Sequence, residues 1–289
     1  MTYPPPAPSG ILRVMCFLHV GICRRALLLF VGVLLAAPAA AQERGSVSVA
    51  IDGTTLKLST VTYKPAGDGP FPTLIFHHGS GDFAHPYDPH AIAQWFVGRG
   101  WAVIAPSRRG RGGSEGLNEE GADCSVASAV EGADRALGEI EAVSLALVSQ
   151  PFVDRRRIAV GGESRGGVLS VAWSGKHPAV RAVVNFVGGW KGSRTCLHAA
   201  AINQTLLKRG VPWRQPSLWL YGDNDIFYPL EHSRANFDAF LAAGGKGVWH
   251  DYKPPDRLDG HQIVLVPWLW AADMEAYLAG RGLPFRRRD

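Results

Sequence analysis

The sequence predicts an α/β fold: a mostly parallel twisted sheet with helices on both faces and an opening antiparallel hairpin. Three observations point to it. Short, almost wholly apolar runs recur between longer helix-like stretches, the pattern of strands joined by crossover helices. The first two runs alternate apolar and polar residues instead, with Asp52-Gly53 between them, which is a hairpin signal. One apolar run, Ile158-Ala159-Val160, passes through a glycine-rich turn straight into a helix-like segment.

In chain order, residues 46–51 alternate, Asp52-Gly53 turns, and residues 56–63 alternate again. Residues 64–70 form a loop. Residues 73–77 and 101–106 are apolar enough to be strands covered on both faces. Between them, residues 88–99 read as a helix carrying Ile92, Trp95, Phe96 and Val97. Residues 107–123 are rich in glycine and arginine and read as a loop. Residues 126–150 form a long helix that Pro151 ends. Further strands are expected at 180–187, 217–221 and 247–252, and further helices at 197–209, 230–243 and 267–279. In such a sheet the site lies at the carboxyl ends of the strands.

The N-terminus reads as a leader. Arg24-Arg25 precede the apolar residues 26–35, and Ala36-Ala37-Pro38-Ala39-Ala40-Ala41 follows. Basic, apolar and small-residue parts in that order make a secretory signal, residues 1–41, cut after Ala41. The apolar stretch is short for a membrane span. The long basic region suggests that translation starts at Met15 rather than Met1. Residues 42–289 suit a single α/β domain. Removing the leader takes Arg13, Arg24 and Arg25 from the 30 basic residues and none of the 25 acidic ones, so the net charge falls from +5 to +2. That balance implies no nucleic-acid partner, and Arg286-Arg287-Arg288 reads as a solvated tail. Of the 4 cysteines, Cys16 and Cys23 leave with the leader. Cys124 and Cys196 remain as an even pair in an oxidising setting, and a disulfide is expected.

Gly162-Glu163-Ser164-Arg165-Gly166 carries the chemistry. G-x-S-x-G is a weak pattern in a chain with 34 glycines, and Gly112-Gly113-Ser114-Glu115-Gly116 matches it too. Context separates the two, because only Ser164 stands between a strand and a helix, where a nucleophile elbow places its serine. Ser114 has no strand directly before it. A serine needs a base to take its proton, and the base needs an acid to orient it. Asp225 follows one later strand, in Gly222-Asp223-Asn224-Asp225, and His261 follows the last, in Asp259-Gly260-His261. The order Ser164, Asp225, His261 is nucleophile, acid, base. Asp223 is the alternative acid and is otherwise expected to brace the turn. His177, His198, His232 and His250 read as structural. Oxyanion-hole donors are expected from the backbone of Arg165 and of Ser80, with Gly79 second.

Other residues carry lesser readings. His77, His78, Asp82, His85, Asp88 and His90 could suggest a metal, but no metal-ligand spacing appears. Arg108, Arg109 and Arg111 could hold a substrate carboxylate; bracing of loops against Glu115, Glu119 or Glu120 is the better reading, with Arg109 kept as a substrate-binding candidate. Trp190, with Trp173 and Trp213, could line an acyl pocket, although most of the 9 tryptophans should be core.

These motifs, together with His77-His78-Gly79-Ser80-Gly81, resemble the α/β-hydrolase superfamily. They look closest to its dienelactone hydrolase-like branch and to neighbours among the acyl-peptide hydrolases. The loop Arg108-Arg109-Gly110-Arg111-Gly112-Gly113-Ser114 is similar to a loop of both. The resemblance covers essentially the whole chain after the leader. It implies the α/β-hydrolase fold with no cofactor and no metal. Dienelactone hydrolases use a cysteine nucleophile, so Ser164 leans toward ordinary carboxylic esters. No insertion large enough for a separate lid domain is visible.

The leading expectation is therefore an exported, periplasmic or secreted serine hydrolase of small esters or lactones. A peptidase or amidase with the same machinery is the second, and a non-catalytic binding protein that kept the fold is the third. Neither nucleic acid nor, after signal cleavage, membrane is an expected partner; the oligomeric state stays open.

Overall fold

The computed structural model describes residues 41–121, 123–283 and 285. The leader lies outside the described residues except for Ala41, as does the basic run Arg286-Arg287-Arg288.

Strand β1 (Ala41–Ile51) runs antiparallel to β2 (Thr54–Lys64), with Ile51 opposite Thr54 and Ala41 opposite Lys64. Asp52 and Gly53 turn between them at φ 51° and 76°, the left-handed pair that matches a two-residue turn to strand twist. Then β3 (Phe71–His77), α1 (His90–Val97), β4 (Ala102–Pro106), α2 (Val126–Val148) and β5 (Val153–Glu163) alternate. The second half continues with α3 (Arg165–Ser174), β6 (Ala182–Phe186), α4 (Ala199–Leu207), β7 (Ser217–Gly222), α5 (Leu230–Ala242), β8 (Gly247–Tyr252) and α6 (Pro267–Gly280).

The sheet has 8 strands in the order β1-β2-β4-β3-β5-β6-β7-β8. β1, β2 and β4 pair antiparallel, and every pairing from β4 through β3 to β8 is parallel. This is the predicted architecture. Two strands are longer than their apolar runs suggest: β1 begins at Ala41 and β5 at Val153. Their extensions carry exposed Glu43 and Arg44, and exposed Arg155 and Arg156, which hide the strand pattern.

Helix packing follows from side-chain spacing. In α2, Ala129, Ala133, Ala136, Ile140, Val143 and Leu147 are buried, a stripe at three- and four-residue intervals. The Ser125 hydroxyl accepts the Ser128 N–H and caps that helix. α2, α3, α4 and α5 pack among themselves, and α1 packs on α6, so helices cover both faces. Between the layers, Leu74, Ile75, Phe76, Val103, Val160, Val183 and Leu220 are fully buried. Each such side chain contributes about 1.5–3 kcal/mol over an exposed one. Among the described residues no helix is long and apolar enough to cross a membrane.

The chain leaves β3 to β4 on one side and later returns to β5 on the other. Strand order reverses there, which opens a crevice at the carboxyl ends of β3 and β5. Cys124 and Cys196 form a disulfide between the loop after β4 and the segment before α4. It spans a sequence separation of 72 residues, which in the chain-entropy model is worth about 4 kcal/mol. Cys124→Ala with Cys196→Ala should therefore lower the urea-unfolding free energy by up to about 4 kcal/mol. An unchanged unfolding midpoint would show that the bridge contributes nothing.

Candidate active site

Ser164 follows β5 and occupies the N-cap of α3, at φ 54° and ψ −123°. That left-handed backbone is costly for a residue with a side chain. Its N–H donates to Phe186 O on β6 at 3.0 Å, and its carbonyl accepts the Gly167 N–H at 3.0 Å. The turn passes close to β3: a Cβ at Gly166 would overlap the carbonyl oxygen of His77. Only glycine fits there, which is the physical content of the last residue of G-x-S-x-G.

Asp225 follows β7. Its Oδ1 accepts the N–H groups of Phe227 and Tyr228 at 2.8 and 2.9 Å, and its Oδ2 lies 2.9 Å from His261 Nδ1. The Asp225 side chain is fully buried and that of His261 is 20% exposed. His261 lies in a 3₁₀ turn, Gly260–Leu265, capped by Asp259 Oδ1, which accepts the His261 N–H. With Nδ1 on the carboxylate, Nε2 is the ring nitrogen left for chemistry. Asp223 is exposed and its Oδ1 accepts the Asn224 N–H. Of the two acids, the fold brings Asp225 to the histidine.

Ser164 and His261 line one cavity of about 570 Å³. Phe83, Tyr87, Ile92, Phe227, Val264 and Leu265 supply most of its apolar wall, and Ser80 and Glu163 reach it too. A Cβ at Gly79 would stand 3.2 Å from the Ser164 Cβ, so the loop after β3 passes directly over the serine. The Arg165 N–H is the first of α3 and has no acceptor inside the helix.

Beside the elbow lies a buried charge cluster. Glu120 takes Arg108 Nε at 2.5 Å, Arg111 Nη1 at 2.6 Å and Arg165 Nη1 at 2.9 Å. Arg108 Nη1 and Nη2 donate to the carbonyls of His78 and Gly79, both at 2.9 Å, and Arg111 Nε donates to that of Gly81. Burial opposes the charge of Glu120, but the three guanidinium groups outweigh it and hold the carboxyl well below the usual range.

Several expected site residues go elsewhere. Arg109 is not at the cavity: its Nε donates to Glu139 at 2.5 Å, and Glu119 and Asp52 each lie 3.3 Å from its guanidinium. Its charge is spent joining the loop to α2 and the hairpin. Trp190 does not line the cavity either. It is buried, and its ring carries the Arg165 guanidinium 4.6 Å from its centre. Ser114 is buried in the loop, donating to Ser107 O and accepting the Ser59 N–H. Burial and Arg108 lower the His77 imidazole to about 3.

Residues that sequence reasoning passed over also reach the site. Glu163, beside Ser164, is partly buried; burial raises its carboxyl, while hydrogen bonds from the Tyr87 hydroxyl and the Gly79 N–H oppose the rise. Phe227 and Tyr228 stand against His261, with ring centres 4.8 and 5.5 Å away. Their signal was their place directly after Asp225.

This sheet, with a strained serine elbow and a His–Asp pair on one edge, defines an α/β-hydrolase fold. Residues 52–214 match the X-Pro dipeptidyl-peptidase (S15) family. The match spans more than half of the 289 residues, and the chain belongs to that family. It includes Ser80 and Ser164 and stops before Asp225 and His261. Among solved structures, an esterase from Pyrococcus furiosus is similar at 17% identity and TM-score 0.60, over 83% of this chain and 90% of that one. A candidate dienelactone hydrolase from Klebsiella pneumoniae is similar at 19% identity and TM-score 0.52, over 83% and 99%. A prolyl endopeptidase is similar at 20% identity and TM-score 0.56, over 86% of this chain and 38% of that one. At these identities the likeness is one of fold. Among curated proteins none matches significantly.

The lowered Glu120 carboxyl has a pH consequence. A carboxyl more acidic in the folded state adds stability that is complete above its unfolded value, about 4.3, and is lost as pH falls toward the folded value. Urea unfolding should show stability declining below about pH 4.3, and Glu120→Gln should remove part of that decline. A variant with the wild-type acid slope would contradict this.

Proposed function

We propose that the protein is an exported serine hydrolase that cleaves small carboxylic esters or lactones through an acyl-enzyme. The observation that carries this reading is the His261–Asp225 pair, 2.9 Å apart, on a cavity that Ser164 also lines. Ser164 Oγ attacks the carbonyl carbon while His261 Nε2 takes its proton. The carbonyl oxygen becomes an oxyanion held by the N–H groups of Ser80 and Arg165. His261 then protonates the departing alkoxide, and the acyl group stays on Ser164. Water attacks next, with His261 again as base, and releases the acid and the serine. Asp225 orients the imidazole and stabilises its charged form. The Asp225 carboxylate is itself oriented by two backbone N–H groups, so the ring cannot turn without breaking a well-placed bond. The largely apolar cavity suits an uncharged acyl or alkyl group. Export rests on the leader together with the disulfide, which forms and persists in oxidising compartments.

A second reading has its own support, because the matched family is described as a dipeptidyl-peptidase family. The same chemistry would then cleave an amide after proline. The two readings differ in leaving group, not in residues.

Ser164→Ala should lower kcat on p-nitrophenyl acetate by about 10⁶-fold. Asp225→Asn, which leaves the imidazole in the wrong tautomer, should lower it by about 10⁴-fold. Equal rates in wild type and Ser164→Ala would remove Ser164 from the reaction. Faster turnover of Ala-Pro-p-nitroanilide than of any p-nitrophenyl ester would favour the peptidase reading.

A further inference from the structure

The Gly79–Ser80 peptide is gripped from its carbonyl side. Gly79 O accepts Arg108 Nη2 at 2.9 Å and lies 2.7 Å from His78 Nδ1. His78 Nε2 accepts the Arg108 backbone N–H at 2.9 Å. A neutral imidazole that accepts at Nε2 carries its proton on Nδ1, so Nδ1 is the second donor to Gly79 O. Burial, aided by the charge of Arg108, lowers the His78 imidazole well below its ordinary range, so the ring stays neutral and the tautomer persists. Across a trans peptide the C=O and the following N–H point opposite ways. Two donors on Gly79 O therefore turn the Ser80 N–H away from the guanidinium. Ser80 is therefore the donor that this grip orients.

The guanidinium groups in this grip share one carboxylate. Glu120 is bound to Arg108, which holds the carbonyls of His78 and Gly79, and to Arg111, which holds that of Gly81. It is also bound to Arg165, whose own N–H is the other expected donor. We propose that Glu120 is a positioning residue for the oxyanion hole, setting Arg108 and Arg111 so that the Ser80 and Arg165 N–H groups converge on the oxygen that develops charge. Its side chain is 4% exposed and pairs with guanidinium groups on two separate segments, so one carboxylate sets the distance between the two donors. The inference rests on Ser164 as nucleophile.

The test compares wild type, Glu120→Gln and Arg108→Lys, using p-nitrophenyl acetate and two inhibitors of one chain length. A trifluoromethyl ketone adds to the serine and places an oxyanion in the hole, whereas the matching methyl ketone occupies the cavity without doing so. In both variants kcat should fall by about 10²-fold with KM within about threefold of wild type. The trifluoromethyl ketone should weaken by the same factor and the methyl ketone should not. If Glu120→Gln does not fold, Arg108→Lys, which keeps a charge opposite Glu120 but cannot span two carbonyls, carries the test. Unchanged kcat and trifluoromethyl ketone affinity would overturn the proposal, as would equal weakening of both ketones. A wild type that neither turns over the ester nor takes up a fluorophosphonate would overturn the reading of Ser164, and this proposal with it.

Discussion

The backbone of Ser164, at φ 54°, is the constraint on which the site depends. A side-chain-bearing residue held there costs about 1–3 kcal/mol. The cost is met by the sheet on both sides: β5 pairs with β3 and β6, and the Ser164 N–H bonds to Phe186 O. The strands beneath are buried on both faces, so the turn cannot relax without pulling β5 out of register. This presents the hydroxyl at the mouth of the crevice and starts α3 immediately behind it. The geometry that strains the chain also leaves the Arg165 N–H unpaired beside the serine.

The polar groups around the elbow divide into two sets. On one side His261 and Asp225 form a hydrogen-bonded pair whose carboxylate is fixed by backbone N–H groups. On the other, three guanidinium groups surround one carboxylate. A buried ion pair on its own is weak support for stability, because desolvation offsets the Coulomb gain. Here Arg108 and Arg111 also donate to backbone carbonyls, which ties the cluster to the loop after β3. The disulfide anchors the segment just after Glu120 to the one just before α4. The loop over Ser164 is held through its carbonyls by Arg108 and Arg111.

Much of this was legible in the sequence. Apolar runs such as 73–77 and 217–221 read as buried strands by their length and flanks, and Asp52-Gly53 read as a tight turn. Ser164 stood out from Ser114 because strand and helix flank it, and the fold turns Asp225 inward to His261 while Asp223 stays exposed on the turn. What stayed hidden depends on contacts between distant segments. Arg109 does brace its loop, against Glu119 as the better reading had it, but its partner Glu139 stayed hidden because it lies on a helix whose facing side cannot be told from a mixed apolar pattern. Glu120 was among the acids expected to brace the arginine loop, and it does, but nothing in sequence spacing announces that Arg165 meets it as well. The ends of β1 and β5 were missed because exposed polar residues break the period.

The central claim is that Ser164 is the activated nucleophile, and covalent labelling tests it most directly. The protein would be treated with a fluorophosphonate, digested with trypsin and read by mass spectrometry. The account predicts one adduct, on Ser164 in the peptide spanning Ile158 to Arg165, and its loss when Asp225 is replaced by asparagine. An adduct on Ser114 or elsewhere, or none on the active wild-type protein, would contradict it.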